Sequence, residues 1–218
     1  MEVFSCEQGS DDWIKARLGI PTASNFATVM AKGKDGGISV TRRTYLMKLV
    51  GEILTGEQMD SYTNNHMERG KVMEDEARDL YAFMTDTSPE CVGFIRNGNK
   101  GCSPDSLVGD NGLVEIKTKL PHLQVDCLLG ARVPPEHKAQ CQGNLWVAER
   151  EWIDFVSYWP KLPLFVIREY RDEEYLAKLS DAVDIFNEEL AEAVERVRRL
   201  GGEAPNLAQQ LAGSLEAA

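Results

Sequence analysis

The sequence predicts an α/β (α+β) fold, in which a central mixed β-sheet is flanked by helices. Segments with helical periodicity fill most of the first 85 residues, whereas short β-rich runs follow near residues 91–119 and 152–170. A chain of 218 residues with 43% hydrophobic residues can bury a substantial core within one domain. We therefore expect a single domain over residues 1–200 and a partly flexible tail over residues 201–218.

The first helices are delimited by capping residues and glycines. A helix begins at Asp11 or Asp12 and runs through Arg17, and the residues from Thr22 to Ser24 can cap a second helix through Ala31. A third helix starts at Thr41 and stops before Gly56. A fourth spans about residues 65–84, and the periodicity predicts a buried side made of Ala77, Leu80, Tyr81 and Met84.

Strands and two further helices complete the domain. Strands are predicted over residues 91–96, 101–107, 113–119, 152–158 and 164–170, and a helix starts at Pro134-Pro135-Glu136. A final helix runs from Glu173 to about Leu200, where Gly201-Gly202 ends it. Its apolar stripe consists of Leu176, Leu179, Val183, Phe186, Leu190, Val194 and Val197. In the tail, one short helix is expected around residues 207–211.

Two carboxylates and a lysine lie on either side of a predicted hairpin turn. Pro104-Asp105 is followed, after nine residues, by Glu115-Ile116-Lys117, and Asp110-Asn111-Gly112 between them is a hairpin signal. Side chains alternate along a strand, so Glu115 and Lys117 point to one side while Ile116 enters the core. Carboxylates that converge beside an ammonium suit Mg²⁺ or Mn²⁺. From these residues alone, an ordinary exposed hairpin with scattered charges is an equally good interpretation.

The surrounding sequence resembles a known family. Six segments in the same order are similar to the lambda-type phage exonucleases, the YqaJ-like viral recombinase or alkaline-exonuclease branch of the PD-(D/E)xK nuclease superfamily. The segments are Glu7-Gln8-Gly9-Ser10-Asp11-Asp12-Trp13, Arg17-Leu18-Gly19-Ile20-Pro21-Thr22-Ala23-Ser24, Arg69-Gly70-Lys71 with Glu74, Cys102-Ser103-Pro104-Asp105, Glu115-Ile116-Lys117, and Ala139-Gln140-Cys141-Gln142 with Trp146. The resemblance implies a restriction-endonuclease-like core.

The resemblance also implies an activity and partners. A lambda-type exonuclease is a Mg²⁺-dependent 5′→3′ exonuclease, with Mn²⁺ as a substitute and two ions per site. It degrades one strand of linear double-stranded DNA to mononucleotides and leaves a 3′ single strand for recombination. Relatives form a ring of three subunits and work with a phage single-strand annealing protein. The expected location is the cytoplasm of a bacterial host.

The same resemblance assigns roles to individual residues. The metal ligands would be Asp105, Glu115, Glu74 and the backbone carbonyl of Ile116. Lys117 would position or deprotonate the attacking water, or stabilise the charge that develops, and Gln140 would orient water or a phosphate. The 5′-terminal phosphate would be bound by Arg17, Ser24 and Ser103. Without the family match, Glu74 reads as part of a solvated helix face, Gln140 as a neutral surface residue and Arg17 as an exposed helix end.

Two features of the sequence limit what the resemblance implies about DNA binding. Around Asn64-Asn65-His66 the chain lacks a lysine that a relative has near the bound DNA end, which leaves the preference for a phosphorylated end open. The net charge of −11 argues against non-specific coating of DNA. Basic residues are nevertheless concentrated before residue 50, where we expect a DNA-facing surface: Lys15, Arg17, Lys32, Lys34, Arg42, Arg43 and Lys48.

Other classes of site are not supported by the sequence. Five cysteines without a C-x-x-C pair suggest reduced thiols, and the three histidines do not have zinc-ligand spacing. No apolar run approaches the roughly 20 residues that cross a bilayer, and the N-terminus lacks a signal-peptide pattern. Two alternative functions stay open. One is a superfamily nuclease of other polarity or an endonuclease, for which Arg17 would be dispensable; the other is a catalytically silent DNA-end-binding scaffold.

Overall fold

Two β-sheets form the framework of the domain. The computed structural model describes residues 1–34, 36–58 and 65–203. An antiparallel three-stranded sheet has the order β1 (Glu2–Phe4), β2 (Phe94–Asn97) and β3 (Lys100–Cys102). A four-stranded sheet contains β4 (Ser106–Val108), β5 (Gly112–Thr118), β6 (Trp152–Tyr158) and β7 (Phe165–Tyr170), in chain order.

The four-stranded sheet is mixed, as predicted. β4–β5 and β6–β7 pair antiparallel, whereas β5 and β6 pair in parallel from Gly112↔Trp152 to Thr118↔Tyr158. Parallel strands require a crossover connection, and here α5 (Pro121–Gly130) and α6 (Pro135–Ala148) provide it. Helix α5 and strand β1 were not predicted from the sequence, whereas the start of α6 at Pro135 was.

The prediction of one continuous strand over residues 101–107 is wrong. The structure divides this segment into β3 and β4, which belong to different sheets. Pro104 lies at the division, and proline has no backbone N–H with which to continue a hydrogen-bond ladder. The Gln8 amide stabilises the crossing by donating to the carbonyls of Val92 and Pro104, at 2.9 and 3.1 Å.

The N-terminal helices lie close to their predicted bounds. Helix α1 (Asp11–Arg17) is capped by Ser10, whose side chain accepts from the Trp13 N–H. A 3-10 turn over Ala23–Asn25 precedes α2 (Phe26–Met30). Helix α3 (Val40–Thr55) ends at Gly56 in the left-handed conformation, with φ of 72°.

Helix α4 (Asn65–Thr85) packs against the four-stranded sheet through a narrower stripe than predicted. Met73, Ala77 and Tyr81 are buried, at four-residue intervals. Leu80 and Met84, which the periodicity assigned to the buried side, are 40% and 61% exposed. Only one helical face meets β5 and β6, so residues a turn around the helix remain in solvent.

Helix α7 (Glu173–Glu203) covers α2, α3 and α6. Six residues of its predicted stripe, from Leu176 to Val194, are buried, whereas Val197 is 44% exposed because the helix extends past the core. The helix also continues through the predicted terminator Gly201-Gly202, since glycine weakens a helix interior without necessarily ending it. The short helix predicted around residues 207–211 lies outside the described residues.

Arg42, predicted to belong to a DNA-facing basic surface, is instead a buried link between α3 and α7. Its guanidinium donates to both carboxylate oxygens of Glu189, at 2.6 and 3.2 Å, and to the Val29 carbonyl at 3.1 Å. A bidentate pair of this kind fixes geometry as well as charge. Among the described helices, none is both long and apolar enough to span a membrane.

Candidate active site

The β4–β5 hairpin brings the two predicted carboxylates together. Ser106 pairs with Val114, so Asp105 and Glu115 lie one step further along the same antiparallel ladder. The Asp105 N–H donates to the Val114 carbonyl at 3.0 Å, and the Ile116 N–H donates back to Asp105 Oδ2 at 2.5 Å. Residues directly opposite each other on antiparallel strands have neighbouring side chains. The spacing of nine residues is therefore what a tight hairpin needs to juxtapose these two groups.

Glu115 is the most completely surrounded carboxylate of the site. It is 1% exposed, and both of its oxygens accept hydrogen bonds. Oε1 receives the Lys117 ammonium and the Gln140 amide, each at 2.5 Å, and Oε2 receives the Asn144 amide at 2.8 Å. Lys117 and Glu115 share one side of β5, as strand alternation predicted, and Ile116 lies in the core.

Asp105 lies in an unfavourable electrostatic environment for a carboxylate. Burial, together with the nearby charges of Glu115 and Glu74, raises its pKa well above its ordinary value, despite opposing contributions from Lys117 and the Ile116 N–H. A divalent cation would relieve this repulsion. The site therefore fits a hard cation with carboxylate and carbonyl ligands, because Mg²⁺ retains several waters and needs few protein oxygens.

Glu74 approaches the acids from helix α4. Burial raises its pKa, although Arg78 opposes this by donating to Glu74 Oε1 at 2.7 Å. Arg78 also pairs with Asp75 at 2.6 Å, and the Tyr158 hydroxyl donates to Glu76 at 3.1 Å. Asp75 and Glu76 are nevertheless exposed, as on a solvated helix face, whereas Glu74 is partly buried. In the described part of the chain, no group of three or more His, Cys, Asp and Glu side chains is already arranged to hold a metal ion.

Lys117 is held as a cation. Burial disfavours its charge, but the carboxylates of Glu115 and Asp105 outweigh this and raise its pKa. An ammonium with a raised pKa is suited to orienting water or stabilising negative charge, and not to accepting a proton.

The same cavity is lined by a second group of predicted residues, called the Arg17 end below; Asp105, Glu115 and Lys117 form the acid end. The Arg17 guanidinium stacks on the Trp13 ring, 4.0 Å from its centroid, and Ser103 Oγ accepts from Trp13 Nε1 at 2.8 Å. Ser24 is exposed, and its hydroxyl lies 3.2 Å from that of Thr22. The cavity measures about 220 Å³ and is lined by seven of the predicted site residues: Arg17, Ser24, Ser103, Asp105, Glu115, Lys117 and Gln140. Glu74 lines an adjoining cavity, which shares Asp105.

The two glutamines of α6, Gln140 and Gln142, have different hydrogen-bond partners. Gln140 contacts Glu115, whereas Gln142 is fully buried and bonds the Tyr170 carbonyl and the Asp172 N–H, both at 2.9 Å. Asn144 is a cavity residue that the sequence analysis missed. Its position four residues after Gln140 places it on the same helical face, which is a signal that could have identified it. Gln8, Trp13 and Thr22 also line the cavity without having been predicted to.

Comparison with known proteins agrees with this architecture, which is that of the PD-(D/E)xK nuclease fold. The profile of the YqaJ-like viral recombinase domain matches residues 12–151. The alkaline exonuclease LHK-Exo from Laribacter hongkongensis is 33% identical, with a TM-score of 0.82 over 90% of this chain and 100% of that chain. A structure of LHK-Exo in complex with dAMP matches equally well. The chain therefore belongs to the YqaJ-like viral recombinase family, which confirms the resemblance found in the sequence.

A more distant structure supports the fold alone. A phage-related exonuclease from Haemophilus somnus 129PT is 14% identical, with a TM-score of 0.62 over 82% of this chain and 96% of that chain. No curated protein matches the chain.

Proposed function

We propose that the protein is a Mg²⁺-dependent exonuclease that degrades the 5′-ended strand of linear double-stranded DNA, in the 5′→3′ direction, to mononucleotides. The observation that carries the proposal is the single cavity that joins the acid–lysine cluster to the Arg17 end. In this proposal, the acid–lysine cluster hydrolyses a phosphodiester bond while the Arg17 end binds the terminus of the same strand. Binding the terminus positions the bond to be cut.

The metal ligands in this proposal are Asp105, Glu115 and Glu74, together with the backbone carbonyl of Ile116. The raised pKa of Asp105 supports the assignment, because its buried charge lacks sufficient compensation within the chain. One or two bound Mg²⁺ ions, or Mn²⁺ as a substitute, would activate water and neutralise developing charge.

The other side chains position the reactants. Lys117, held as a cation by its carboxylate neighbours, orients the attacking water and stabilises negative charge on the phosphate. Gln140 and Lys117 both bond Glu115 Oε1, so that this carboxylate keeps one orientation. Arg17, Ser24 and Ser103 bind the 5′-terminal phosphate, for which an arginine fork is well matched.

The identity of the product has independent support from a relative. LHK-Exo is described as an alkaline exonuclease and has been solved with dAMP. A bound nucleoside monophosphate in a 33% identical structure favours release of mononucleotides by this chain as well. Digestion of the 5′-ended strand would leave a 3′ single strand, on which a phage single-strand annealing protein could assemble.

We further propose that three subunits assemble into a ring around DNA, as the family resemblance implies. The net charge of −11 makes a general attraction to DNA weak, so DNA binding needs a local basic interior. Arg42 does not contribute to such a surface, because it is paired with Glu189.

Digestion of a linear duplex labelled at either the 5′ or the 3′ end tests the proposal. The reaction is followed in Mg²⁺ and in EDTA, with 5′-phosphate and 5′-hydroxyl termini compared. We expect metal-dependent early release of the 5′ label as a mononucleotide, faster from the phosphorylated end. Early release of the 3′ label would reverse the polarity, internal cuts would indicate an endonuclease, and no release in any condition would favour a silent end-binding scaffold.

A further inference from the structure

Trp13 connects two of the three residues that the proposed function assigns to the terminal phosphate, Arg17 and Ser103. Its ring lies beneath the Arg17 guanidinium, 4.0 Å from centroid to Cζ. Its indole N–H is shared between Ser103 Oγ at 2.8 Å and the Gly93 carbonyl at 3.1 Å. Trp13 thus spans helix α1 and the segment between β3 and β4, which are about 90 residues apart in sequence.

The hydrogen bond from Trp13 occupies one acceptor position of the Ser103 hydroxyl and limits the directions in which that hydroxyl donates. An indole nitrogen is a donor only, whereas a hydroxyl has one donor and two acceptor positions. Ser103 Oγ therefore accepts from Trp13, and its own proton must point elsewhere. Within the described residues Ser103 Oγ has no other hydrogen-bond partner, and it lines the 220 Å³ cavity. The hydroxyl proton is consequently available to an acceptor inside that cavity.

The contact with the Trp13 ring also leaves hydrogen-bond donors of Arg17 available. Burial lowers the pKa of Arg17, and the nearby Tyr45 and Glu52 oppose this in part. No described carboxylate forms an ion pair with the Arg17 guanidinium, which stacks on the Trp13 face. A guanidinium stacked on an aromatic face keeps the donors at its edge free. Because Arg17 also lines the cavity, those donors can reach an anion there.

We propose that Trp13 is a positioning residue for the terminal phosphate: its N–H directs the Ser103 hydroxyl proton into the cavity, and its ring holds the Arg17 fork toward the same point. This inference rests on the proposed function and adds a residue to it. In this inference Trp13, which also lines the cavity, acts through Ser103 and Arg17.

A purely structural explanation makes a different prediction. If Trp13 only fastens α1 to the sheet, its substitution lowers stability and slows digestion of every duplex equally. If Trp13 orients phosphate-binding donors, its substitution reduces the advantage of a 5′-phosphate over a 5′-hydroxyl end. The ratio of kcat/KM for these two ends therefore separates the explanations, since overall loss of folded enzyme cancels in the ratio.

The test compares the wild type, Trp13→Phe, Ser103→Ala and the double variant on both duplexes, with melting temperatures recorded. Phenylalanine keeps an aromatic face under Arg17 and removes the N–H. Trp152→Phe is the matched control, because Trp152 also stacks with an arginine, Arg168, at 3.5 Å, but does not line the cavity. The control is expected to keep the wild-type ratio.

We expect Trp13→Phe and Ser103→Ala each to reduce the phosphate-to-hydroxyl ratio about tenfold, which corresponds to the loss of one well-oriented donor. The double variant should lose no more than the larger single effect, because both substitutions remove the same oriented proton. An unchanged ratio in Trp13→Phe, or multiplicative losses in the double variant, would overturn the proposal while leaving the exonuclease assignment intact. A wild-type enzyme with no phosphate preference would instead refute the end-binding step itself, and this inference with it. If Trp13→Phe does not fold, Trp13→Tyr makes the same test, because it also keeps an aromatic ring and lacks the indole N–H.

Discussion

The two ends of the cavity differ in how they are built and in what they lack. At the acid end, Glu115 and Lys117 lie on β5 and bond each other, and Asp105, just before β4, accepts from the Ile116 N–H. At the other end, Arg17 and Ser103 come from distant segments and meet through Trp13. At the acid end, burial and the neighbouring charges of Glu115 and Glu74 raise the pKa of Asp105. The Arg17 end has a cation that is not paired with a described carboxylate.

This difference agrees with the proposed function, in which the acid end binds metal ions and the Arg17 end binds a phosphate. Side chains on rigid strands keep their geometry in the absence of substrate, which favours catalysis. In the proposed function, the Arg17 end instead provides donors whose interactions are completed by the terminal phosphate. Substitutions at the acid end should therefore affect turnover, whereas those at the Arg17 end should affect which DNA end is used.

The largest effect is expected for Lys117→Ala. Loss of the ammonium removes charge stabilisation at the acid end, and we expect turnover to fall about 10³-fold. Folding and binding to DNA ends should be retained, because the Arg17 end is unchanged. Single-turnover digestion and an end-binding assay on the same preparation measure the two properties. Turnover like that of the wild type would remove Lys117 from the mechanism.

Arg17→Ala should give the next largest effect, confined to phosphorylated ends. We expect about a 10²-fold loss of kcat/KM on a 5′-phosphate duplex, because a charged donor pair is removed, and little loss on a 5′-hydroxyl duplex. Arg17→Lys keeps the charge without the planar fork, so it should recover only part of the loss. Equal loss on both ends would show that Arg17 acts on folding or on the whole reaction, and not as an end anchor.

Asn144 and Gln142 allow a comparison within one helix, α6. Asn144→Ala removes a donor that orients Glu115, and we expect activity and Mg²⁺ affinity to fall about tenfold. Gln142→Ala removes bonds that join α6 to the segment before α7, so it should lower the free energy of unfolding by about 1–3 kcal/mol. Mg²⁺ titrations of activity, together with denaturant unfolding, distinguish the two outcomes. A variant of Gln142 that is stable but inactive would contradict this division.

The smallest effect is expected for the melting temperature of Asp105→Asn in the absence of metal. Because the pKa of Asp105 is raised on folding, the folded state retains this proton where the unfolded chain has lost it. The associated stabilisation is complete below the unfolded pKa and is lost as pH rises through the raised folded pKa. At pH 8 in EDTA, Asp105→Asn should therefore melt roughly 3–6 °C above the wild type. The difference should shrink as the pH falls.

Addition of Mg²⁺ provides the control for that comparison. It should raise the melting temperature of the wild type more than that of Asp105→Asn, because the variant has lost a carboxylate ligand. A wild type that melts above the variant in EDTA at pH 8 would show that Asp105 is not strained in the metal-free protein.

The sequence predicted local relations in this molecule better than distant ones. Strand alternation and the hairpin signal placed Glu115 beside Lys117 and opposite Asp105, because these depend on a few neighbouring residues. The split between β3 and β4 at Pro104 could have been predicted, since proline interrupts a ladder. The missed contact between Trp13 and Ser103 depends on packing across about 90 residues, which no local pattern specifies.

Burial was also less predictable than periodicity suggested. Leu80 and Met84 have the spacing of buried residues but face solvent, because the sheet covers only one narrow stripe of α4. Arg42 lies in a basic cluster of the sequence. In the structure it forms a buried ion pair with Glu189 of the last helix. In both cases the decisive neighbour is far away in the chain.

The length of the first product tests most directly whether the two ends of the cavity work as one site. A duplex labelled at its phosphorylated 5′ end is digested under single-turnover conditions by the wild type and by Arg17→Ala. If the anchor sets the distance to the acids, the wild type releases the label only as a mononucleotide, and Arg17→Ala produces a slower mixture of lengths. Oligonucleotides from the wild type, or mononucleotides at an unchanged rate from Arg17→Ala, would contradict a cavity in which anchoring and hydrolysis are coupled.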